Sequence, residues 1–173
     1  MSAAGKPGRR WGYHSVEPRA AGRIVAAAGI RPGDVVVDLG AGVGSLTAPL
    51  VTAGARVLAV ELHPGRAARL AHRFGPAVLL RRDDLRTTAL PGTPYRVVAN
   101  PPWSTLETLR ERLLRSPSLI RADLVVPRWV AHRWAARYPR ITVGGSVPAE
   151  AFRPCARTGA AVAVILGRRR SPR

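Results

Sequence analysis

Cysteines, metal-binding clusters and long hydrophobic runs are scarce in this sequence, and each absence excludes a class of protein. The single cysteine, Cys155, excludes an internal disulfide in the 173-residue chain. No apolar run approaches the roughly 20 residues that a membrane-spanning helix needs. The histidines lack the spacing of metal ligands; they are His14, His63, His72 and His132. The sequence therefore predicts no metal centre and no membrane span.

Acidic residues are also few. The chain has 10 Asp and Glu against 28 Lys and Arg, which gives a formal net charge of +18. A positive field of this size attracts polyanions and favours contact with nucleic acid, with a merely solvated surface as the alternative. Residues 1–15 lack the apolar stretch of a signal peptide, so we expect a cytoplasmic protein. We also expect a monomer with one domain at residues 12–167 and basic flexible tails at residues 1–11 and 168–173.

Strand-like and helix-like segments alternate along the chain. Short apolar runs predict six strands, at residues 35–39, 56–62, 77–84, 95–100, 122–127 and 159–167. Longer segments predict five helices, at residues 17–30, 44–54, 65–75, 104–116 and 128–138. This alternation indicates an α/β fold with a doubly wound, mostly parallel sheet and helices on both faces.

Ligands bind beyond the carboxyl ends of the strands in such a sheet, and polar residues and glycines gather there in this sequence. Glu61 lies about 20 residues beyond the first glycine turn, where a carboxylate can bind ribose hydroxyls. The residues that follow or end the first four strands are Asp38, Gly40, Gly42, Gly44, Glu61, Asp83, Asp84 and Asn100.

The glycine spacing Gly-x-Gly-x-Gly suits a cofactor without a pyrophosphate. Carboxylates at three strand ends would repel phosphate and favour a cationic or neutral nucleoside, a description that S-adenosylmethionine meets. Asp38 can alternatively brace the loop as a capping carboxylate. Asp83 can alternatively be a solvated neighbour of Arg81 and Arg82.

The segment "VVANPPWSTL", residues 97–106, follows the fourth strand. Its two prolines lack backbone N–H donors and cannot continue a strand or a helix. We expect a rigid loop that holds an amide, Asn100, and a large aromatic, Trp103. Core packing of Trp103 is the alternative.

Four segments, "VVDLGAGVGSLTAPL", "VLAVEL", "RDDL" and "VVANPPW", occur here in an order that resembles the rRNA adenine N6-methyltransferases. This family comprises the erythromycin-resistance (Erm) enzymes and the dimethyladenosine transferases. Residues 147–162, "VPAEAFRPCARTGAAV", are similar to a late segment of the family. The resemblance covers about residues 12–166 and implies a Rossmann-like fold with a mostly parallel seven-stranded sheet.

The resemblance also implies a mechanism. Two acceptors, the side-chain oxygen of Asn100 and the carbonyl of Pro101, would hold an adenine amine, while Trp103 would stack on the flipped base. Catalysis would rest on positioning and electrostatics without a strong general base. S-adenosylmethionine would be bound by Asp38, Gly40, Gly42, Gly44, Glu61, Asp84 and Asn100.

Three departures from the family are visible. Residues 13–16, "YHSV", replace a Gln-Asn-Phe-Leu stretch that lies over the cofactor, which leaves the roles of Tyr13 and His14 open. The late segment keeps Phe152 and Pro154 but loses a second proline and an Asp-Ser pair. The family usually adds a helical domain, whereas this chain stops at Arg173. We therefore expect RNA to dock on the catalytic domain itself.

Arginines and aromatic residues alternate in "RWVAHRWAARYPR", residues 128–140. Arg133 and Arg137 share one helical face and are candidates for phosphate contact, as is Arg153 in the late segment. Core packing of Trp129 and Trp134 is equally compatible with the pattern. No partner motif surrounds Cys155 or His63, so we do not expect covalent catalysis.

The predicted function is methylation of adenine N6 in RNA, most simply rRNA, with antibiotic resistance and housekeeping both open. DNA adenine and protein glutamine are the alternative substrates, because the Asn-Pro-Pro-aromatic loop suits any planar amine or amide. A catalytically silent RNA-binding assembly factor is the alternative of another class. The presence of Glu61, Asp84 and Asn100 favours catalysis, since a silent relative would be free to lose them.

Overall fold

The computed structural model describes residues 14–168. Its strands are β1 (Ser15–Val16), β2 (Val35–Leu39), β3 (Arg56–Val60), β4 (Val78–Arg81), β5 (Tyr95–Ala99), β6 (Leu119–Pro127), β7 (Ile141–Val147), β8 (Phe152–Arg153) and β9 (Ala160–Leu166). Its α-helices are α1 (Pro18–Ala28), α2 (Thr47–Thr52), α3 (Pro64–Phe74), α4 (Leu106–Arg115) and α5 (Arg128–Arg137).

Seven of these strands form a single sheet in the order β4-β3-β2-β5-β6-β9-β7. The five strands from β4 to β6 in that order pair in parallel. Strand β9 runs antiparallel to both β6 and β7. The predicted fold class, a Rossmann-like and mostly parallel seven-stranded sheet, is confirmed.

The core has two halves, one on each face of the sheet, because side chains alternate along a strand. Val36 faces a cluster that includes the apolar side of α1, whereas its neighbour Val37 faces the cluster built from α4 and α5. Trp134 of α5 is fully buried in the second cluster. Core packing is therefore the role of this tryptophan.

Strand β7 was not predicted from the sequence. Its segment "ITVGGSV" contains Gly144 and Gly145, and a glycine pair is typical of a turn. The segment lies at the edge of the sheet and forms a strand by pairing with β9, with an irregular register between Val143 and Ser146. The predicted tail at residues 1–11 and most of the tail at residues 168–173 lie outside the described residues.

Parallel strands place their carboxyl ends at the same edge of a sheet. The loops after β2, β3, β4 and β5 therefore converge there, as the alternating sequence pattern predicts. A two-stranded antiparallel ladder of β1 and β8 joins the N-terminal segment to the late segment of the chain.

Gly44, one of the three glycines after β2, provides a test of how this loop packs. Its φ of 89° is unfavourable for other residues, and a Cβ there would overlap the Phe74 ring. We expect Gly44→Ala to lower the free energy of unfolding by roughly 2–4 kcal/mol, measured by urea denaturation.

Gly22→Ala is the matched control, because Gly22 lies inside α1 with open space around the added methyl group. That change should stabilise the fold by about 0.5–1 kcal/mol. A Gly44→Ala variant as stable as the wild type would contradict the packing described here.

Candidate active site

A cleft of about 540 Å³ opens at the carboxyl ends of β2 to β5. It combines residues that the sequence predicts to act together: Gly40, Glu61, Asp83, Asp84, Asn100, Pro101 and Trp103. Phe152 and Ala156 from the late segment also line it. The structure thus brings the carboxylates and the Asn-Pro-Pro-Trp loop to one cavity.

Glu61 lies directly after β3 and is only 3% exposed. Its Oε2 accepts a hydrogen bond from the Gly42 N–H at 2.9 Å. Its Oε1 accepts from the His63 N–H at 2.7 Å and from the Arg66 guanidinium at 3.0 Å. These partners compensate the buried charge and fix the carboxylate at the cleft.

His63 caps the helix that starts beside Glu61. Its Nδ1 accepts hydrogen bonds from the backbone N–H groups of Gly65, at 3.1 Å, and Arg66, at 3.3 Å. The capping interaction satisfies two N–H groups of the first turn of α3. His63 therefore has a structural role at the N-terminus of this helix.

Asp84 lies on the loop after β4 and pairs with Arg86. Both carboxylate oxygens accept hydrogen bonds from the Arg86 guanidinium, one of them at 2.6 Å. These hydrogen bonds lower the pKa of Asp84 below its ordinary value. Asp83 braces the same turn, because its Oδ1 accepts from the Asp84 N–H at 2.8 Å.

Arg112 of α4 contacts the backbone of the loop that carries Asp84. Its guanidinium donates to the Leu85 carbonyl at 2.7 Å and also to the Thr88 carbonyl. Since α4 follows the Asn-Pro-Pro-Trp loop, Arg112 ties the Asp84 side of the cleft to the element that continues from Asn100.

The three predicted cofactor glycines have different positions. Gly40 lines the cleft, and a Cβ there would lie 3.2 Å from the Leu85 side chain and 3.3 Å from Pro102. The N–H of Gly42 donates to Glu61, whereas Gly44 faces Phe74 and does not line the cleft. Gly40 thus permits the close approach of the two loops.

Asp38, at the end of β2, is 1% exposed and lines a side cavity of about 20 Å³ rather than the main cleft. Its Oδ2 accepts a hydrogen bond from the Thr47 hydroxyl at 2.7 Å, which braces the first residue of α2. Burial, with a further contribution from the nearby Glu61 carboxylate, raises the pKa of Asp38 to about 7. The arrangement fits the loop-bracing alternative.

Asn100 is oriented by the N-terminal segment. Its side-chain N–H donates to the His14 carbonyl at 2.7 Å, which leaves Oδ1 as the acceptor end of the amide. The His14 ring lies within hydrogen-bond distance of the Pro154 carbonyl, at 2.9 Å. His14 therefore has a positioning role that the sequence left open, whereas Tyr13 lies outside the described residues.

Trp103 begins a single turn, Trp103–Thr105, at the mouth of the cleft. Its side chain is 41% exposed, so it is not a core aromatic. The Thr105 hydroxyl donates to the Pro102 carbonyl at 2.6 Å and closes the turn. Pro101 is buried beside Asn100.

The three arginines predicted to contact RNA lie in different surroundings. Arg133 pairs with Glu107, and its guanidinium lies 4.9 Å from the centre of the Trp129 ring. Arg137 is exposed next to Tyr138. Arg153 pairs with Glu17 at 3.5 Å and supports the β1–β8 ladder.

Among residues 14–168, no three metal-ligating side chains gather in one place. No helix in the same range is long and apolar enough to cross a membrane. Cys155 is exposed and has no disulfide partner.

Sequence reasoning missed the cations of the cleft, Arg66 and Arg86, and the contact of His14 with Asn100. The two arginines carry a local signal, since each follows a site carboxylate by five residues or fewer. The His14 contact spans 86 positions of the chain and has no local signal.

Solved methyltransferase structures share this architecture. The 23S rRNA methyltransferase ErmE aligns with a TM-score of 0.81 at 21% identity, covering 89% of this chain and 70% of ErmE. A dimethyladenosine transferase from Plasmodium falciparum aligns at 0.77 and 21% identity, covering 89% of this chain and 63% of the other. The fold is therefore that of the methyltransferases.

The sequence defines the group within that fold. The model of the ribosomal RNA adenine dimethylase family matches residues 15–151. A ribosomal RNA small subunit methyltransferase A from Leifsonia xyli is 39% identical over 140 residues, 75% of this chain. The relative of the same name from Thermosynechococcus vestitus is 31% identical over 189 residues, 95% of this chain and 71% of its own length. The chain belongs to the ribosomal RNA adenine dimethylase family.

The chain spans about half the length of the first curated relatives that it matches. The alignments cover 50% of the Leifsonia xyli protein and 43% of a relative from Streptomyces griseus, which is 40% identical over 125 residues and 66% of this chain.

The raised pKa of Asp38 predicts a pH-dependent stability. Between its unfolded pKa near 3.8 and its folded pKa near 7, the folded state binds the proton more tightly. The protonated Asp38 therefore adds its full contribution to the free energy of unfolding below about pH 4, and this contribution is lost as the pH rises through 7. Asp38→Asn cannot ionise, so its free energy of unfolding relative to the wild type should rise by roughly 2–4 kcal/mol over that interval.

Urea denaturation at a series of pH values measures this difference. Glu150→Gln, which removes an exposed carboxylate, is the control and should not reproduce the rise. A pH-independent difference between Asp38→Asn and the wild type would contradict a buried, proton-binding Asp38.

Proposed function

We propose that this protein transfers a methyl group from S-adenosylmethionine to the exocyclic N6 of an adenine in ribosomal RNA. One observation carries the proposal: carboxylates suited to a nucleoside and the Asn-Pro-Pro-Trp loop line the same cleft. Membership of the ribosomal RNA adenine dimethylase family supports this substrate. A location in the cytoplasm is part of the same proposal.

Glu61 and Asp84 would hold the adenosine part of the cofactor. Each carboxylate oxygen has two lone pairs, so Glu61, which has three protein donors, keeps one acceptor position on Oε2 for a ribose hydroxyl. Asp84 would accept a hydrogen bond from the adenine amine of the cofactor. Its oxygens would either accept from Arg86 at the same time or lose the Arg86 guanidinium to this amine. The cofactor supplies the methyl group on a cationic sulfonium, a charge that the nearby carboxylates favour.

Asn100 and Pro101 would hold the target amine. An exocyclic adenine amine is a poor nucleophile because its lone pair is delocalised into the ring. Acceptance of its two N–H bonds by the Asn100 Oδ1 and the Pro101 carbonyl would aim the lone pair at the methyl group. The cofactor would give up its methyl group to the amine that Asn100 and Pro101 hold, leaving as a neutral thioether, and the proton on nitrogen would then leave to solvent without a strong base.

Trp103 would stack on the flipped adenine. Its exposed ring at the mouth of the cleft suits this contact, which is worth about 1–3 kcal/mol per base. The net charge of +18 would attract the phosphates of the RNA.

Transfer of labelled methyl groups tests the proposal. The purified chain and labelled S-adenosylmethionine are incubated separately with small-subunit rRNA, large-subunit rRNA, DNA and a protein extract. Label in adenine of rRNA supports the proposal. Label confined to DNA or protein identifies another substrate, and cofactor binding without any transfer identifies a silent scaffold, so each of these outcomes overturns it.

A change at Glu61 should weaken cofactor binding. Glu61→Gln removes a charged acceptor, so the Kd for S-adenosylmethionine in calorimetry should rise by roughly 10- to 100-fold. Glu111→Gln, on the exposed side of α4, is the control. Urea denaturation without cofactor separates a change in affinity from a loss of folded protein. Unchanged affinity would remove Glu61 from the cofactor site.

A change at Asn100 should affect turnover instead. Asn100→Ala removes one preorganised acceptor of the target amine, so kcat should fall by about 10²-fold or more while the Kd of the cofactor changes little. Thr108→Ala, an exposed residue of α4, is the control. Single-turnover methyl transfer with saturating RNA measures the effect. Wild-type kcat in Asn100→Ala would exclude the amine-holding mechanism.

A further inference from the structure

Helix α5 carries a line of exposed side chains that the proposed mechanism does not use. Trp129, Arg133 and Arg137 follow each other at intervals of four residues and therefore lie on one face of the helix. All three are exposed, and Trp129 is 62% exposed. We call these three residues the α5 stripe.

Core packing does not explain Trp129, in contrast to the buried Trp134 of the same helix. The guanidinium of Arg133 lies 4.9 Å from the centre of the Trp129 ring, within the range of a cation–π contact. Arg133 is in turn held by Glu107 of α4. The stripe thus presents a large aromatic ring that is supported by a fixed cation.

The stripe begins at the edge of the sheet where the cleft opens. Helix α5 starts at Arg128, directly after the carboxyl end of β6. Strand β6 pairs in parallel with β5, which leads into Asn100 and the Trp103 turn. Paired strands lie about 4.8 Å apart, so α5 begins next to the Asn100 side of the cleft rim, although none of its residues lines the cleft itself. Arg133 and Arg137 continue away from the rim along α5.

We propose that the α5 stripe binds the single-stranded segment of RNA that flanks the target adenine, an inference that rests on the proposed function. A neighbouring base stacks on Trp129, and the phosphates beyond it contact Arg133 and Arg137. An unpaired base is required, because a base inside a duplex has no free face for the ring. Four helical residues span about 6 Å, a spacing that suits successive phosphates of an extended strand.

The chain offers a close comparison for this surface. Arg19 and Arg23 on α1 are also exposed and four residues apart, but α1 packs on the opposite face of the sheet. No exposed tryptophan accompanies them within the described residues. If RNA were attracted only by positive charge, both pairs of arginines would contribute equally to its binding. If RNA follows the α5 stripe, only the arginines of α5 would contribute.

Fluorescence anisotropy with a short, labelled, unstructured RNA tests the proposal in the full chain. Trp129→Ala should weaken binding by about tenfold, whereas Trp129→Phe, which keeps an aromatic face, should retain most of the affinity. A duplex RNA of the same length should bind both variants and the wild type equally.

Salt dependence tests the arginines. The double variant Arg133→Ala/Arg137→Ala should reduce the slope of log affinity against log salt by about 1.4, since each phosphate contact to a single strand contributes about 0.7. The matched variant Arg19→Ala/Arg23→Ala should leave the slope at its wild-type value.

Three results would overturn the proposal: wild-type affinity of Trp129→Ala for the single strand, an equal loss of slope in the α1 control, or a change in oligomeric state of Trp129→Ala with unchanged RNA affinity. Because the assay measures binding and needs no turnover, it is separate from the proposed activity. The wild-type protein could fail to transfer a methyl group while the stripe variants bind RNA more weakly than the wild type does. That result would support the proposed role of the stripe and reject the proposed function.

Discussion

A buried carboxylate, that of Glu61, connects the elements around the cleft. It accepts hydrogen bonds from the loop after β2, through Gly42, and from the turn that enters α3, through His63 and Arg66. An unpaired charge at this depth would be costly, so these three donors must stay in place for the fold to be stable. The same constraint orients the group that is proposed to bind the cofactor, and stability and binding therefore depend on one side chain.

A second constraint links the N-terminal segment and the late segment of the chain to the loop that carries Asn100. His14 contacts Pro154 through its ring and Asn100 through its backbone carbonyl. The β1–β8 ladder, made of only two residues on each side, holds the N-terminal segment in register for this contact. The rigid prolines fix the backbone of the loop, while the orientation of the Asn100 amide is set by a residue far away in sequence.

These two constraints explain how much the sequence could predict. The strands β2 to β5 and the carboxylates at their ends follow from local patterns, because apolar runs, glycines and acids stand next to each other in the chain. The His14 contact depends on tertiary structure and has no local pattern. Strand β7 depends on pairing with β9, which overrides the turn preference of Gly144 and Gly145. Asp38 shows a further limit of prediction from sequence. A carboxylate at this position of the motif can bind a ligand or brace a loop, and the burial of the side chain, which the sequence does not show, distinguishes these two roles.

The distribution of charge gives the cleft a property that neither the net charge nor the motifs reveal. Four of the ten acids of this +18 chain, namely Asp38, Glu61, Asp83 and Asp84, lie at the carboxyl edge of the sheet. A cluster of bare carboxylates would repel the phosphates of an approaching RNA. Glu61 and Asp84 are instead each paired with an arginine, Arg66 and Arg86, that lines the same cleft. In the function we propose, these pairs keep acceptors available for the nucleoside of the cofactor, while Arg66 and Arg86 offset part of the negative charge that the RNA meets at the cleft.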